Sequence, residues 1–289
     1  MRRILVIDDD RVTLHLVRGL LVAEGFEVET ANDADEASHL LARQGFDLLV
    51  VDVWMPGLSG FEFLAGLRRL GKSPRALILT ADDAPETVLR AVGEQAYRYL
   101  SKPVNPQELI EAVNAALEAP AELHPIEVIS AKPEWVELLV PCDFESADRI
   151  RTFMTQLDAE LPEDVRESVG IAFQEMLRNA IEWGGRGDPA VQVRIACIRT
   201  PRMILYRISD PGQGFRFEQL RHAAVANPTD QPLQHVDERE KLGLRAGGYG
   251  LLLTRALVDE LLFNEKQNEV LFVKYLEGGA ASKPPAERS

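Results

Sequence analysis

The chain has 289 residues, of which 46% are hydrophobic and 27% charged, and its formal net charge is −14. This length and composition are typical of a globular protein with two cores. Residues 1–120 carry 12 Lys+Arg and 19 Asp+Glu, which gives −7 and leaves −7 for the remainder. Because neither half offers a basic surface, we expect no binding to nucleic acid.

The sequence shows no pattern of export or membrane insertion. Met1 is followed almost directly by a strand-like segment, so we expect no signal peptide. No apolar run approaches the roughly 18 residues that a bilayer-spanning helix needs. Cys142 and Cys197 lie in apolar contexts without metal-ligand spacing, which favours buried free thiols. We therefore expect a cytoplasmic protein that does not bind membranes.

Four apolar, strand-like segments in the first 103 residues each lead to polar side chains suited to phosphoryl chemistry. They are 4–7 with Asp8 and Asp9, 48–51 with Asp52, 76–79 with Thr80, and 97–101 with Lys102. Helical patterns alternate with them at 11–24, 34–44, 59–70, 85–95 and 106–118. This alternation predicts a doubly wound, five-stranded parallel sheet. Ligands of such sheets bind outside the carboxyl ends of the strands, where these polar residues fall.

The residue types at these strand ends predict a magnesium-dependent phosphoryl site. Three crowded carboxylates repel one another unless a divalent cation with oxygen ligands neutralises them. With Mg²⁺ bound, one carboxylate can act as the nucleophile toward a phosphoryl group. A hydroxyl and an ammonium group can then hold the new phosphate oxygens.

Prolines at 120, 125 and 133 interrupt the helical pattern, so we place a linker at 120–133, between domains at 1–119 and 134–277. The small, polar tail 278–289 is expected to be disordered. The elements predicted for the second domain are strand 135–140, helix 145–158, a long helix from Pro162 to Gly184, antiparallel strands 190–199 and 202–209, a polar lid after Gly214, helix 249–262, and a hairpin closing with 269–275.

A second group of residues predicts a nucleotide site. Glu175 and Asn179 are four residues apart on the long helix and therefore project from one face. The segment 210–214 reads Asp-Pro-Gly-Gln-Gly directly after a strand, and 247–250 reads Gly-Gly-Tyr-Gly directly before the last helix. Glycines at a helix N-terminus let backbone N–H groups approach phosphate oxygens, while a carboxylate or amide can hold Mg²⁺ or accept a proton.

The first 120 residues resemble the receiver domain of two-component response regulators. The resemblance rests on the acidic residues above, on Met55-Pro56-Gly57 with Gly60, on Tyr99, and on Lys102-Pro103, a proline that is usually cis in this family. It implies that Asp8 and Asp9 bind Mg²⁺ together with Asp52, which would be the phosphoacceptor. It also implies that Thr80 and Lys102 bind the phosphoryl group and that a sensor histidine kinase supplies it.

The second half resembles the Bergerat-type ATPases, a family of α/β-sandwich domains shared by histidine kinases, gyrase and Hsp90. The segment 175–184 resembles the N-box of these domains, and 210–214 and 247–250 resemble their glycine boxes. This implies ATP and Mg²⁺ as cofactors, with Glu175 as catalytic base and Asn179 as Mg²⁺ ligand. The adenine and phosphate contacts would come from Asp210, Gly212, Gly214, Gly248 and Gly250.

Within this group the sequence resembles the bacterial anti-sigma-factor serine kinases. The resemblance rests on Asn-Ala-Ile-Glu at 179–182, on Asn-Pro-Thr-Asp at 227–230, and on 253–260. Those enzymes phosphorylate a serine on a STAS-domain anti-anti-sigma protein or sequester a sigma factor. Trp183 departs from the histidine that is common there, and the lid is longer.

A histidine kinase is the less favoured interpretation, because its dimerising helical hairpin has no room between 119 and 134. His124 precedes a proline, which disfavours helix at that position. His222 and His235 fall in the predicted lid. We expect their side chains to be exposed to solvent rather than to contact a phosphate group.

The leading hypothesis is a receiver that controls an ATP-dependent protein serine/threonine kinase acting on a STAS-like partner. One alternative is a non-catalytic, nucleotide-dependent module that sequesters a sigma factor or a STAS protein. Another is a receiver-driven scaffold with a degenerate ATP site. A homodimer is compatible with both domains, although no segment dictates it.

Overall fold

The structure is a computed structural model that describes residues 2–82, 84–132, 134–216, 223–224, 227, 231, 233–241 and 248–276. The chain divides into two compact units, Met1–Leu123 and His124–Ser289. None of the helices in the described ranges has the length and apolar character needed to cross a bilayer.

The first unit is a five-stranded, all-parallel sheet with strand order β2-β1-β3-β4-β5. Its strands are β1 (Arg3–Ile7), β2 (Glu27–Ala31), β3 (Leu48–Val51), β4 (Ala76–Thr80) and β5 (Arg98–Ser101). Its helices are α1 (Arg11–Ala23), α2 (Ala34–Arg43), α3 (Gly60–Arg69), α4 (Pro85–Gly93) and α5 (Pro106–Glu118). Strands β1, β3 and β4 are buried almost throughout because helices cover both faces of such a sheet. The predicted doubly wound fold is confirmed.

The helices of this unit begin where the sequence supplies capping residues. The carboxylate of Asp10 accepts hydrogen bonds from the first backbone N–H groups of α1, and Ser59 forms a capping box with Glu62 at α3. Pro85 and Pro106 occupy the first turns of α4 and α5, as predicted.

The second unit is a six-stranded antiparallel sheet with strand order β10-β11-β9-β8-β7-β6, accompanied by helices. Its elements are β6 (Glu127–Lys132), β7 (Trp135–Pro141), α6 (Phe144–Leu157), α7 (Glu163–Asn179), a π-helical turn (Ala180–Gly184), β8 (Gln192–Thr200), β9 (Met203–Ser209), α8 (Gln234–Lys241), α9 (Gly250–Leu257), β10 (Glu260–Phe263) and β11 (Glu269–Tyr275). One face of α7 is buried through Val165, Val169, Ala172, Phe173 and Met176, as predicted.

The predicted linker and the predicted last helix are wrong in part. Residues 127–132 of the predicted linker form strand β6, which pairs antiparallel with β7. The predicted helix over 249–262 ends at Leu257, and Glu260–Phe263 is instead a strand paired with β11. A short apolar run cannot be assigned to helix or strand from periodicity alone. The predicted tail 278–289 and much of the predicted lid lie outside the described residues.

Both cysteines are buried free thiols, as predicted. Burial raises the pKa of Cys142 to about 11 and that of Cys197 to about 12.

Candidate functional sites

The first candidate site is an acidic cluster at the carboxyl ends of β1 and β3. Strand-like hydrogen bonding continues past the strands, since Asp52 N donates to Ile7 O at 2.8 Å and Lys102 N donates to Thr80 O at 2.8 Å. One carboxylate oxygen from each of Asp8, Asp9 and Asp52 lies within 4.8 Å of the others. Asp8 and Asp52 are buried and Asp9 is exposed. The parallel sheet therefore brings the predicted acidic residues together.

The ammonium group of Lys102 lies beside two carboxylates of this acidic cluster. Its Nζ lies 2.7 Å from Asp8 Oδ2 and 3.3 Å from Asp52 Oδ2. Burial alone would lower the pKa of Lys102, but the neighbouring carboxylates outweigh burial and raise it. Burial raises the pKa of Asp52, an effect that the Asp8 carboxylate increases and Lys102 opposes. One ammonium group thus compensates only part of the buried negative charge.

The cluster fits a magnesium ion. Asp52 Oδ1 is buried and accepts no hydrogen bond from the residues that the structure describes. A buried carboxylate oxygen left in this state is costly unless a cation binds it. Three converging carboxylates are the hard oxygen ligands that Mg²⁺ prefers. The residues that would hold the ion are Asp8, Asp9 and Asp52.

Thr80 and Tyr99 meet at the loop that follows β4. The fully buried Thr80 accepts a hydrogen bond at Oγ1 from Asp82 N at 3.3 Å, and the buried Tyr99 donates its hydroxyl to Asp82 O. Asp82 also accepts from Trp54 Nε1 at 3.1 Å and from Thr87 Oγ1 at 2.7 Å. The side-chain hydrogen bond from Thr87 lowers the pKa of Asp82. Sequence reasoning did not identify Asp82, which connects three elements around the cluster.

Gly60 lets α3 approach the backbone that carries Asp52. A Cβ at position 60 would overlap the carbonyl oxygen of Asp52 and lie 2.8 Å from Val51 Cγ1. Gly60 N donates to Val53 O at 3.0 Å. The glycine is therefore required by close packing at this site. The peptide bond between Lys102 and Pro103 is cis, as the resemblance implied.

The second candidate site is a cavity of about 570 Å³ in the second unit, within the size range of small-molecule sites. It lies between α7 with its π-helical turn, the ends of β9 and β11, and the start of α9. All seven residues predicted for the nucleotide site line it: Glu175, Asn179, Asp210, Gly212, Gly214, Gly248 and Gly250. Residues that are up to 75 positions apart in the sequence thus form one surface.

Glu175 lies against the glycine turn that precedes α9. A Cβ at Gly250 would overlap Glu175 Oε2, so the carboxylate approaches the backbone of this turn. Gly248 has a φ of +96°, a conformation that favours glycine. Asn179 lies one helical turn after Glu175 and also lines the cavity. This pair fits Mg²⁺ and nucleotide phosphates, because a carboxylate and an amide oxygen line the same cavity as the backbone of Gly248 and Gly250.

Asp210 lies at the end of the cavity formed by the π-helical turn. The turn brings the backbone of Gly184 against the Asp210 carboxylate, where a Cβ would overlap Asp210 Cγ. Gly212 N donates to Asp210 Oδ1 at 2.8 Å. Burial raises the pKa of Asp210, while the Gly212 hydrogen bond and Lys266 lower it. The π-helical turn was missed by sequence reasoning, although such turns are frequent at functional sites.

Asn268 stabilises this part of the cavity and was also missed. Its Nδ2 donates to Asp210 O at 3.0 Å and to Gly212 O at 3.4 Å, while Asp210 N donates to Asn268 O at 2.9 Å. Gly214 has a φ of +75°, and a Cβ there would overlap Lys266 O. The turn before β11 therefore fixes the first glycine segment.

The expectation of an exposed His235 is wrong. This residue of α8 has 0% exposure, its backbone N donates to Asn227 Oδ1 at 2.9 Å, and its Nδ1 lies 2.6 Å from Asn227 Nδ2. Its ring packs edge-on against Tyr249, with ring centroids 4.5 Å apart. His235 therefore contacts the cavity wall through Tyr249. His222 lies outside the described residues.

The first unit thus has an acidic cluster at the carboxyl edge of its parallel sheet, and the second unit has a cavity that contains the predicted carboxylates and glycines. The family model for the response regulator receiver domain matches residues 4–114, and the model for the histidine kinase-like ATPase domain matches residues 140–274. The chain therefore carries a response regulator receiver domain followed by a histidine-kinase-like ATPase domain.

Curated proteins that are similar to this chain match about 40% of its length. Response regulator MprA of Mycobacterium leprae is 40% identical over 115 residues, which cover 40% of this chain and 50% of that protein. The alginate biosynthesis transcriptional regulatory protein AlgB of Pseudomonas putida is 39% identical over 116 residues, covering 40% of this chain and 26% of AlgB. The chain thus spans about half or less of the length of these relatives.

Among solved structures, chemotaxis protein CheY4 of Vibrio cholerae matches with 33% identity and a TM-score of 0.39, covering 40% of this chain and 99% of that one. The response regulator TrrA of Thermotoga maritima, solved in complex with Mg²⁺ and BeF, matches with 34% identity and a TM-score of 0.37, covering 40% of this chain and 100% of that one.

Proposed function

We propose that this chain is a response regulator in which phosphorylation of Asp52 controls an ATP-dependent protein serine/threonine kinase of the anti-sigma type. The phosphodonor would be a sensor histidine kinase, and the target a STAS-domain protein or a sigma factor. The observation that carries the proposal is the position of Glu175, whose carboxylate faces the Gly250 backbone inside the cavity that also contains Asp210.

The roles of the cavity residues follow from their chemistry. Bound Mg²⁺ would neutralise phosphate charge at Asn179. Backbone N–H groups at the start of α9, near Gly248 and Gly250, would bind phosphate oxygens. Asp210, in a partly buried pocket, would accept a hydrogen bond from the amino group of adenine. Glu175 would take the proton from the attacking serine or threonine hydroxyl.

The chain between the domains supports a kinase of this type rather than a histidine kinase. Helix α5 ends at Glu118 and strand β6 begins at Glu127. The intervening residues 119–126 are all described and contain no helix. A helical hairpin that carries a phosphoacceptor histidine therefore does not lie between α5 and β6.

In the receiver, Asp52 would attack the phosphoryl group on the phosphohistidine of the sensor kinase, the P–N bond would break with that histidine as the leaving group, and Lys102 and Thr80 would bind the phosphoryl oxygens. Phosphorylation adds a charge of about −1.5 to −2. Thr80 would then exchange its present hydrogen bond from Asp82 N for a contact with phosphate, and the hydrogen bond between Tyr99 and Asp82 would be rearranged. This movement gives the two states the differential contacts that a switch requires.

The proposal is tested with full-length protein, Mg²⁺, ATP and a STAS-domain protein as phosphoacceptor. We expect Glu175→Gln to bind ATP with an affinity within a few fold of wild type but to lower phosphoserine formation by about 10²-fold or more. Glu167→Gln is the matched control, because Glu167 is exposed on the same helix and lies outside the cavity.

The outcomes separate the competing functions. Equal phosphorylation by wild type and Glu175→Gln would show that the assigned base is wrong. A stable complex of wild type with the partner, without phosphorylation, would identify a sequestering module. Failure of wild type to bind ATP would overturn the proposal for the second domain.

A further inference from the structure

The glycine segment before α9 is held by two contacts from residues that do not themselves line the cavity. Ala224 N donates a hydrogen bond to Gly248 O at 2.8 Å. The ring of His235, on α8, packs edge-on against the ring of Tyr249, with centroids 4.5 Å apart. Two consecutive residues of the segment, Gly248 and Tyr249, are therefore fixed by neighbouring parts of the chain.

Asn227 joins these two contacts to each other. Its backbone N donates to Ala224 O at 3.2 Å. Its side-chain Oδ1 accepts from the backbone N of His235 at 2.9 Å, and its Nδ2 lies 2.6 Å from His235 Nδ1. Because Oδ1 faces a backbone N–H group, Nδ2 faces the imidazole ring and donates to it. The Asn227–His235 pair therefore holds Ala224 and α8 together beside the glycine segment.

The pair also fixes the orientation and the tautomer of the His235 ring. The ring is fully buried. Because Nδ1 accepts a hydrogen bond from Asn227, this nitrogen carries no proton, and the neutral ring is protonated at Nε2. The edge that the ring presents to Tyr249 is thus set by Asn227, a residue eight positions earlier in the sequence.

The glycine segment needs such support because its own residues restrain it little. Gly248 has a φ of +96°, and glycine loses more conformational freedom on ordering than any other residue. Tyr249 is the N-cap residue of α9, yet within the described part of the chain its side chain makes no capping hydrogen bond. The positions of the first backbone N–H groups of α9 therefore depend on the contacts that the segment makes with its neighbours.

We propose that Asn227 and His235 are positioning residues for the phosphate groups of the nucleotide. They act on the glycine segment through Ala224 and through Tyr249, without touching the nucleotide themselves. The opposite end of the cavity, which would bind adenine, is shaped separately by the π-helical turn beside Asp210. The pair therefore strengthens binding of phosphates and leaves binding of the base unchanged. This inference rests on the proposed function, since it requires that the cavity binds ATP.

The first test compares a ligand that carries phosphates with one that does not. Dissociation constants of the full chain are measured for Mg–ATP by titration calorimetry and for adenosine by ligand-observed NMR. Asn227→Leu has a side chain of similar size that forms neither hydrogen bond to His235. We expect this variant to bind Mg–ATP about tenfold more weakly and adenosine within about twofold of wild type. Asp237→Asn is the control, because Asp237 is exposed on the same helix as His235 and lies outside the cavity.

A conservative variant separates positioning from a simple loss of packing. In Asn227→Asp one carboxylate oxygen can still accept from the backbone N of His235, and the other can accept from Nδ1 once that nitrogen carries the proton. We expect Asn227→Asp to bind Mg–ATP within about threefold of wild type. The nitrogen NMR shifts of the His235 ring report the change, with Nδ1 unprotonated in wild type and protonated in Asn227→Asp.

The outcomes are distinct from those of the proposed function. Weakening of Mg–ATP and adenosine by the same factor in Asn227→Leu would overturn the positioning role, because it would show a general disturbance of the cavity. Unchanged binding of Mg–ATP in Asn227→Leu would overturn it as well. So would weak binding of Mg–ATP in Asn227→Asp with a protonated Nδ1, because the pair is then intact. If wild type binds neither Mg–ATP nor adenosine, the proposed function fails instead.

Discussion

The two candidate sites of this chain differ in what gives each of them its shape. In the receiver, charged side chains at the ends of buried strands converge on one another, and Lys102 lies between two buried carboxylates. In the ATPase domain, the cavity owes its shape to glycines, because a Cβ at Gly184, Gly214 or Gly250 would overlap a neighbouring group. The first site therefore depends on which side chains are present, and the second on where side chains are absent.

Among the substitutions that test this difference, Gly184→Ala is expected to have the largest effect. In Gly184→Ala the new Cβ overlaps the Asp210 carboxylate, so the carboxylate has to leave its present position. We expect the dissociation constant for ATP, measured by titration calorimetry, to rise at least tenfold, or about 1.4 kcal/mol. Gly170→Ala on α7 is the control, because a Cβ there has no neighbour within 4 Å. ATP binding unchanged in both variants would contradict the importance of this contact.

An intermediate effect, on the stability of the receiver, is expected at Gly60. At this position too the packing leaves no room for a side chain. The Cβ of Gly60→Ala would overlap the Asp52 carbonyl oxygen, and such overpacking costs about 1–3 kcal/mol of unfolding free energy. Gly66→Ala, on the same helix with open space around it, should instead stabilise the receiver by about 0.5–1 kcal/mol. Urea unfolding measures the free energy of unfolding of both variants. Equal stabilities of the two variants would contradict the importance of the close packing at Gly60.

The smallest effect concerns a buried ionic cluster under the ATPase sheet. Asp158 forms an ion pair with Arg199 and accepts a hydrogen bond from Tyr206 at 2.9 Å. Burial raises the pKa of Asp158 from 3.8 to about 6, although Arg199 and Tyr206 oppose the rise. The folded chain therefore holds this proton at a pH where the unfolded chain has released it. The resulting stabilisation is complete below about pH 4 and is lost as the pH rises through about 6.

Asp158→Asn should remove this pH dependence, since the amide does not titrate. Between pH 5 and 7 we expect the unfolding free energy of wild type to fall relative to that of the variant, by at most about 1.4 kcal/mol per pH unit. Calorimetric scans of both proteins measure the difference. Parallel curves over this range would mean that Asp158 titrates at the same pH in the folded and unfolded chains.

The same contrast explains what the sequence could predict. The receiver fold and the convergence of its acidic residues followed from four strands that each lead to a polar side chain, because parallel strands place their carboxyl ends on one edge. In the ATPase domain, the residues around the cavity were identified from helical spacing and from glycine segments. The close approach of the Gly184 backbone to Asp210 comes from the π-helical turn and from tertiary contacts. A local sequence pattern does not predict such contacts.

The three predictions that the structure contradicts also depend on tertiary contacts. Residues 260–262 were assigned to the last helix because their apolar run continues that of α9, yet pairing with β11 makes them part of a strand. Residues 127–132 were assigned to the linker because prolines flank them, yet they complete the sheet beside β7. His235 was expected to be exposed because its segment is polar, yet Asn227 and Tyr249 bury it. In each case a distant partner decided the outcome.

The burial of both native cysteines has a practical consequence. With pKa values of about 11 and 12, Cys142 and Cys197 carry almost no thiolate at neutral pH, and neither sulfur is exposed. A maleimide dye will therefore react selectively with a cysteine introduced at an exposed position such as Leu58 or Leu262. The wild-type background is thus ready for fluorescence energy-transfer measurements without prior removal of its own thiols.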